Sequence, residues 1–266
     1  MRETKKGVPR IEAHRPPRVL VPDLAEHREA AEEIVLRKEE TEHVRSRRLR
    51  DGDEVIVLDG KGGRGRGTIA SRGTAVRLIA FEDDPGLFSA SSSGSFSSLP
   101  GEAALRVTVL LACAEAARVE WAVEKGTECG SAAFVLLEAA RSQRAHVAAL
   151  RTRLPRLCRI AAEATKQCDR TIVPEVSGPL PPEDFLRRWN GPVLLAQPGA
   201  PLLARSAVLQ AGRVAVAIGP EGGFDPSEVL LFEGSGSCPF SLGPRILRLE
   251  TAVVAALTLL VGGADR

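Results

Sequence analysis

The sequence is poor in the residues that build covalent or metal-held scaffolds. Its five cysteines, at positions 113, 129, 158, 168 and 238, are odd in number, and no two form a Cys-x-x-Cys pair. A chain of 266 residues can bury a sizeable core without staples. A disulfide framework is therefore excluded, and the usage fits a reduced, cytoplasmic setting. The four histidines (14, 27, 43 and 146) are scattered, with no Cys or carboxylate partner at ligand spacing, so no metal is expected. No Walker A pattern and no nucleophile elbow occurs, which argues against a P-loop NTPase and an α/β-hydrolase. The longest apolar run, Ala252–Gly263, is too short to span a bilayer and fits a buried helix. The opening Met-Arg-Glu-Thr-Lys-Lys leads into no apolar stretch, so neither a signal peptide nor membrane attachment is expected. A net charge of +2 excludes a global polyelectrolyte, and no internal repeat is visible.

What is present divides the chain. Residues 1–17 are polar and end in Pro16-Pro17, which reads as a loose arm. A strand is expected from Arg18, a helix around Leu24–Leu36 and a helical turn over Thr41–Leu49. Strands follow at Glu54–Asp59, Thr68–Ala70 and Ala75–Phe81, with a turn at Gly60–Gly67. This makes residues 18–82 a small, mostly β domain. Its arginine-rich part suggests a local polyanion contact, against the alternative of a solvated charged face. Residues 83–102 are rich in Ser, Gly and Pro and read as a linker, because such a run buries too little surface to offset its ordering entropy.

Residues 103–266 have an α/β texture. Strands are expected at Leu105–Ala112, Ala133–Leu137, Pro192–Ala196, Val214–Ile218 and Phe240–Leu242. Helices are expected at Val119–Glu128, Arg153–Lys166, Pro226–Glu233 and Glu250–Leu260. Continuous apolar strands alternating with helices indicate a mostly parallel sheet covered on both faces.

Three Gly-rich loops are candidate sites. Gly60-Lys-Gly-Gly-Arg-Gly65 matches a dinucleotide fingerprint, but the strand-like Gly67-Thr-Ile-Ala that follows supports a basic hairpin turn instead. Val214–Ile218 leads into Gly219-Pro-Glu-Gly-Gly-Phe224. Asp225-Pro-Ser-Glu228 then carries the marks of a capping box with Pro at the first helical position. Ligands of open α/β sheets bind at the carboxyl ends of strands, and Gly222 and Gly223 would allow close backbone approach. The alternative is an ordinary βα turn. Phe240–Leu242 leads in the same way into Gly243-Pro-Arg-Ile-Leu-Arg248. Here Ile246 and Leu247 could sandwich a flat base, or simply anchor the loop to the core.

These two loops resemble those of the bacterial 16S ribosomal RNA uridine-N3 methyltransferases, the RsmE type of the SPOUT superfamily. The similarity continues upstream in order: Glu120-Trp-Ala-Val-Glu-Lys125-Gly-Thr127-Glu128-Cys-Gly130, Arg141-Ser142, and Glu163-Ala-Thr-Lys-Gln167-Cys-Asp-Arg170 with Pro174-Glu-Val176. His43-Val-Arg-Ser-Arg-Arg48 ahead of Gly52-Asp53 is similar to an amino-terminal family pattern. The resemblance implies a trefoil-knot methyltransferase domain, a small amino-terminal PUA-like β-barrel that grips RNA, and a homodimer. It implies S-adenosylmethionine as cofactor, held by Leu195, Ala196, Gln197, Gly219, Pro220, Glu221, Gly222, Gly223, Leu242, Gly243, Ile246 and Leu247. It implies 16S ribosomal RNA as substrate, in the assembled small ribosomal subunit.

The chemistry suggests Arg141, Arg170 and Arg248 as cations near the uracil oxygens, with Glu250 or Glu221 orienting them or moving a proton. Arg18, His43, Arg45, Arg48 and Lys125 are the expected RNA contacts. Another SPOUT enzyme with a tRNA or different ribosomal target, or a non-catalytic RNA-binding protein on the same scaffold, would carry similar motifs.

Overall fold

A computed structural model describes residues 16–27, 32–82, 99, 101–202 and 211–262. The arm expected over 1–17 lies outside the described residues except for Pro16 and Pro17, and the linker likewise except for Leu99, Gly101 and Glu102. The described residues form two compact units, one from residues 16–58 with Arg64–Glu82, the other from Asp59–Gly63 with residues 99–262.

The first unit holds β1 (Arg18–Leu20), β2 (Glu33–Val35), α1 (Lys38–Ser46), β3 (Glu54–Leu58), β4 (Arg64–Ala70) and β5 (Ala75–Glu82). They make a five-stranded sheet in the order β1-β3-β4-β5-β2. Pairing is antiparallel except for β1 on β3. Val19, Ile34, Val44, Val55, Val57, Ile69, Val76 and Leu78 form its core. The helix expected at Leu24–Leu36 is corrected: Leu24–Glu26 is one 3-10 turn, and Glu33–Val35 is a strand on β5. The β-branched Ile34 buries one side chain while Glu33 and Val35 face outward, the period of a strand rather than a helix.

Of the fingerprint-like glycines, Gly60, Gly62 and Gly63 form a hairpin tip between β3 and β4, while Gly65 lies in β4, so the turn expected over Gly60–Gly67 ends at Gly63. The Asp59 carboxylate accepts hydrogen bonds from the backbone N–H of Lys61 (2.6 Å) and Gly63 (2.8 Å), so the turn is built around a side chain and presents no helix terminus.

The second unit is a six-stranded, wholly parallel sheet in the order β11-β9-β10-β6-β7-β8. Its strands are β6 (Arg106–Ala112), β7 (Ser131–Leu137), β8 (Glu175–Leu180), β9 (Val193–Ala196), β10 (Arg213–Ile218) and β11 (Cys238–Phe240). Its helices are α2 (Ala116–Glu128), α3 (Arg144–Gln167), α4 (Pro182–Leu186), α5 (Pro226–Gly234) and α6 (Leu249–Leu260).

Alternation along the strands feeds two separate cores. Val107, Val109, Leu111, Phe134, Leu136, Val214 and Val216 pack with α2, α3 and α6. Leu110, Ala112, Val135, Leu137, Ala215 and Ala217 pack on the other face with Phe224, Phe232 and the α4 region. Strands buried on both faces explain the continuous apolar runs of the sequence.

β8 and α4 had no expectation. Gly178 and Pro179 interrupt the apolar pattern of β8, which pairs with β7 through a register shift. The described end of the expected linker is also corrected. Leu99 is buried, and the Glu102 side chain is 5% exposed in an ion pair with Arg170.

Candidate active site

A cavity of about 450 Å³ opens at the carboxyl ends of three adjacent strands, β10, β9 and β11. That volume suits a small organic ligand. The segment after β9 contributes Ala196, Gln197 and Pro198, and the segment after β10 contributes Gly219, Pro220, Glu221 and Gly223. The loop between β11 and α6 contributes Leu242, Gly243, Arg245, Ile246, Leu247 and Arg248. The segment after β9 is tied to β11 by Gln197 N–H to the Phe240 carbonyl (2.8 Å) and to the loop after β11 by Ser241 N–H to the Pro201 carbonyl (2.7 Å).

Local chemistry shapes each wall. In the loop after β10, Gly223 N–H closes a tight turn on the Pro220 carbonyl (2.8 Å), and Gly223 has φ +71°. Phe224 then turns inward to meet Phe232 of α5 at 5.1 Å between ring centroids. The capping box on α5 is complete, with Asp225 accepting from Ser227 N–H and Glu228 accepting from Asp225 N–H. The Ser227 N–H, then its hydroxyl, with Arg141 adding attraction, hold the Asp225 carboxyl below the usual range. In the third wall Gly243 has φ +116°, a conformation that favours glycine. Ile246 is 87% exposed and does not anchor the loop, whereas Leu247 is partly buried against the core, so the anchoring alternative holds for Leu247 and not for Ile246.

Of the twelve expected cofactor residues, ten line the cavity and two, Leu195 and Gly222, do not. Leu195 is 1% exposed in β9 and faces the core shared with α5, on the side opposite Leu194. Gly222 lies behind the wall: its carbonyl accepts a hydrogen bond from Arg141 Nη1 (2.6 Å), and an added Cβ would find ordinary contact at 3.5 Å from Arg141 Cδ. Close backbone approach is thus supported at Gly223 and Gly243 and not at Gly222.

The four expected catalytic residues separate. Arg248 lines the cavity as the N-cap residue of α6. Glu250 sits in the first turn of the same helix, with Oε2 buried and without a hydrogen-bond partner among the described residues. Arg141, beside the cavity, is engaged by Gly222 and by Asp225 (3.7 Å). Arg170 is corrected. Its side chain is 3% exposed, ion-paired to Glu102 (2.6 Å), and donates to the carbonyls of Thr127 (3.0 Å) and Ser131 (2.8 Å). A guanidinium buried to that extent, with most of its donors committed inside the fold, is not available to uracil.

Of the expected RNA contacts, Arg18 begins β1, His43 and Arg45 occupy the last turn of α1, and Arg48 follows it, with Arg45 and Arg48 exposed. Lys125 lies on α2 between Glu124 and Glu128, each 2.8 Å from Nζ. Those two hydrogen bonds raise its pKa and neutralise its field.

Sequence reasoning missed Arg118. It lies on α2, lines the cavity, and its Nη1 meets Glu221 of the cavity loop. Nothing local marks it, since its partner is 103 residues away. Cys113, at the end of β6, is no nucleophile, because burial pushes its thiol up to about 12.

These features define an α/β protein with a ligand-sized cavity at the carboxyl ends of a parallel sheet. The chain belongs to the RNA methyltransferase family: a family model described as "RNA methyltransferase domain" matches residues 101–261. A second model, "RNA methyltransferase PUA domain", matches residues 36–76. "Ribosomal RNA small subunit methyltransferase E" of Synechocystis is 32% identical over 79% of this chain and 66% of its own length. The protein of that name from Bacillus subtilis is 32% identical over 53% of this chain and 59% of its own. The matches thus span slightly under two thirds of those relatives.

Among solved structures, a Legionella pneumophila protein described as a methyltransferase, in complex with the cofactor SAM, superposes with TM-score 0.78. It is 26% identical and covers 92% of this chain and 97% of that one. A ribosomal RNA small subunit methyltransferase E from Neisseria gonorrhoeae shares the fold, with TM-score 0.77 at 21% identity, covering 92% and 96% of the two chains. The RsmE-type resemblance of the motifs is borne out by these relatives, as is the α/β class.

Proposed function

We propose that the protein transfers a methyl group from S-adenosylmethionine to N3 of a specific uridine in 16S ribosomal RNA. The observation that carries this is the joining of the Gly219–Gly223 and Leu242–Arg248 motifs into one cavity at the carboxyl edge of the sheet. The names of the relatives, and the SAM held by the Legionella neighbour, support the same reading.

The residues fit the cofactor. The cavity is of small-ligand size, and Leu242, Ile246 and Leu247 supply an apolar surface for adenine. Gly223 and Gly243 put no side chain in the way of a ligand, and no atom lies within 4 Å of an added Cβ at either. Bound there, S-adenosylmethionine would supply an electrophilic methyl group for in-line attack by uridine N3. Arg248, on the cavity wall, stabilises negative charge developing on the uracil oxygens. Arg141 acts behind the wall, and Glu250, in the first turn of α6 two residues after Arg248, orients that guanidinium or takes up the proton lost from N3. The target base must be unstacked to reach the site.

The same reading assigns residues 18–82 to a PUA-like β-barrel that binds RNA, the stretch between residue 82 and the buried Leu99 to a linker, and residues 103–266 to a SPOUT domain whose loops form a trefoil knot. Its partners are the small ribosomal subunit and a second copy of the chain, and its location is the cytoplasm.

Nucleoside mass spectrometry of 16S ribosomal RNA from cells lacking the protein tests the proposal. Loss of N3-methyluridine, restored by the gene, is expected. An unchanged level would overturn it.

A further inference from the structure

The cavity wall carries an unbalanced set of charges. Its charged residues are Arg118, Arg245, Arg248 and Glu221. Among the described lining residues Glu221 is the one carboxylate. It is not a buried structural acid, since its side chain is 70% exposed. Arg118 Nη1 grips it, and Arg118 itself lies 3.6 Å from Glu115 Oε2, outside the cavity wall.

A basic wall suits a polyanionic RNA but opposes a cationic ligand. The proposed cofactor carries a positive sulfonium, and its spent form, S-adenosylhomocysteine, carries a neutral thioether with the same adenosine and amino-acid groups. Shape and hydrogen bonding barely separate the two, so charge must. Three arginines alone would favour the spent form and hold the enzyme in a product complex.

We infer that Glu221 determines the preference of this cavity for the sulfonium form, and that Arg118 sets the strength of that preference by partly neutralising it. The inference rests on the cofactor reading above. It assigns Glu221 a role in ligand selection that is separate from loop geometry. Removing the carboxylate leaves the sulfonium facing cations only. Removing Arg118 both releases the carboxylate and deletes a cation, so the two changes act in opposite directions.

Calorimetry on the intact protein, with S-adenosylmethionine and S-adenosylhomocysteine titrated separately, tests this. The quantity read is the ratio of the two dissociation constants. Glu221→Gln is expected to shift that ratio about threefold toward the spent form, the size of a single charge interaction at a solvent-facing site. Arg118→Gln is expected to shift it by a similar factor toward the sulfonium form. Both shifts should shrink in high salt.

A purely structural ion pair would weaken both ligands alike, so unchanged ratios, or ratios moving the same way in both variants, would overturn the inference while leaving the cofactor site intact. Failure of the unaltered protein to bind either ligand would instead remove the cofactor reading, and the inference with it.

Discussion

Arg141 donates a 2.6 Å hydrogen bond from Nη1 to the carbonyl oxygen of Gly222. That bond joins the loop after β7 to the loop after β10, two segments 81 residues apart. A second tie runs parallel to it. Glu228, 8% exposed, accepts from Ala140 N–H with one oxygen (2.7 Å) and from Asp225 N–H with the other (2.8 Å). One capping carboxylate therefore fixes both loops, and the cavity wall inherits its shape from them.

Arg141 is accordingly a positioning residue. Arg141→Met should raise the cofactor dissociation constant about fivefold, the worth of one charge-assisted hydrogen bond on a half-exposed side chain. The single-turnover rate at saturating cofactor should be nearly retained. Unchanged affinity with a collapsed rate would place the guanidinium on the reacting base instead.

The glycines of the two loops are not equivalent. Gly243, at φ +116°, occupies backbone space that a side chain strains, by roughly 1–3 kcal/mol. Gly222 has no positive φ and has room for a methyl group. Gly243→Ala should weaken cofactor binding at least tenfold with the far-ultraviolet spectrum retained, and Gly222→Ala should stay within about twofold of the unaltered protein. Equal losses in both variants would contradict this geometry.

Much of this was legible in the sequence because it is local. The strands β6, β7, β9 and β10 are apolar runs buried on two faces. The α5 capping box is a four-residue pattern, and the two cavity loops follow strand ends. What was not legible is long-range. Arg170 reads as an available cation because its partner, Glu102, is 68 residues away at the edge of a Ser-rich stretch. Arg118 carries no motif, and only the fold brings Glu221 to it. Leu195 fits the expected cofactor segment, but strand alternation turns it into the core. β2 was misread because a three-residue strand is too short to show its period.

Arg170 should matter for stability and not for chemistry. Its pair with Glu102 is almost wholly buried, and Glu102 also accepts from the N–H groups of Thr171 (3.1 Å) and Ile172 (3.0 Å). Removing one partner leaves a buried charge uncompensated, which typically costs about 3–5 kcal/mol. Arg170→Met should lower the urea midpoint accordingly. Arg170→Lys should recover little, because one ammonium cannot reach two carbonyls and a carboxylate together. A variant with unaltered stability but no methyl transfer would return Arg170 to the reacting site.

His27 gives the first unit a pH dependence. The hydrogen bond that His27 Nδ1–H donates to the Glu32 carboxylate (2.8 Å) is the main cause raising its pKa above 6.5, with Asp23 adding a smaller attraction. A raised value in the folded state means the contribution is complete below 6.5 and fades as pH rises through the folded pKa. The pair is partly exposed, so at most about 0.5 kcal/mol is involved. A histidine NMR titration should show the upward shift, and Glu32→Gln should reduce it. A His27 titration that ignores this substitution would rule the pair out.

RNA contacts should divide by electrostatic context rather than by charge count. Arg45 and Arg48 are exposed at the end of α1, whereas Lys125 is flanked by Glu124 and Glu128 at 2.8 Å each. Each phosphate neutralised by an open cation steepens the fall of log K with log salt by roughly one unit. Arg48→Gln should therefore lower that slope by about one unit, and Arg45→Gln should add to the loss. Lys125→Gln should leave the slope unchanged, since its charge is already answered within the protein and few counterions are released on its account. Binding of a 16S fragment measured across a salt series reads all three. A slope that falls with Lys125→Gln and not with Arg48→Gln would move the RNA track from the end of α1 to the flank of α2.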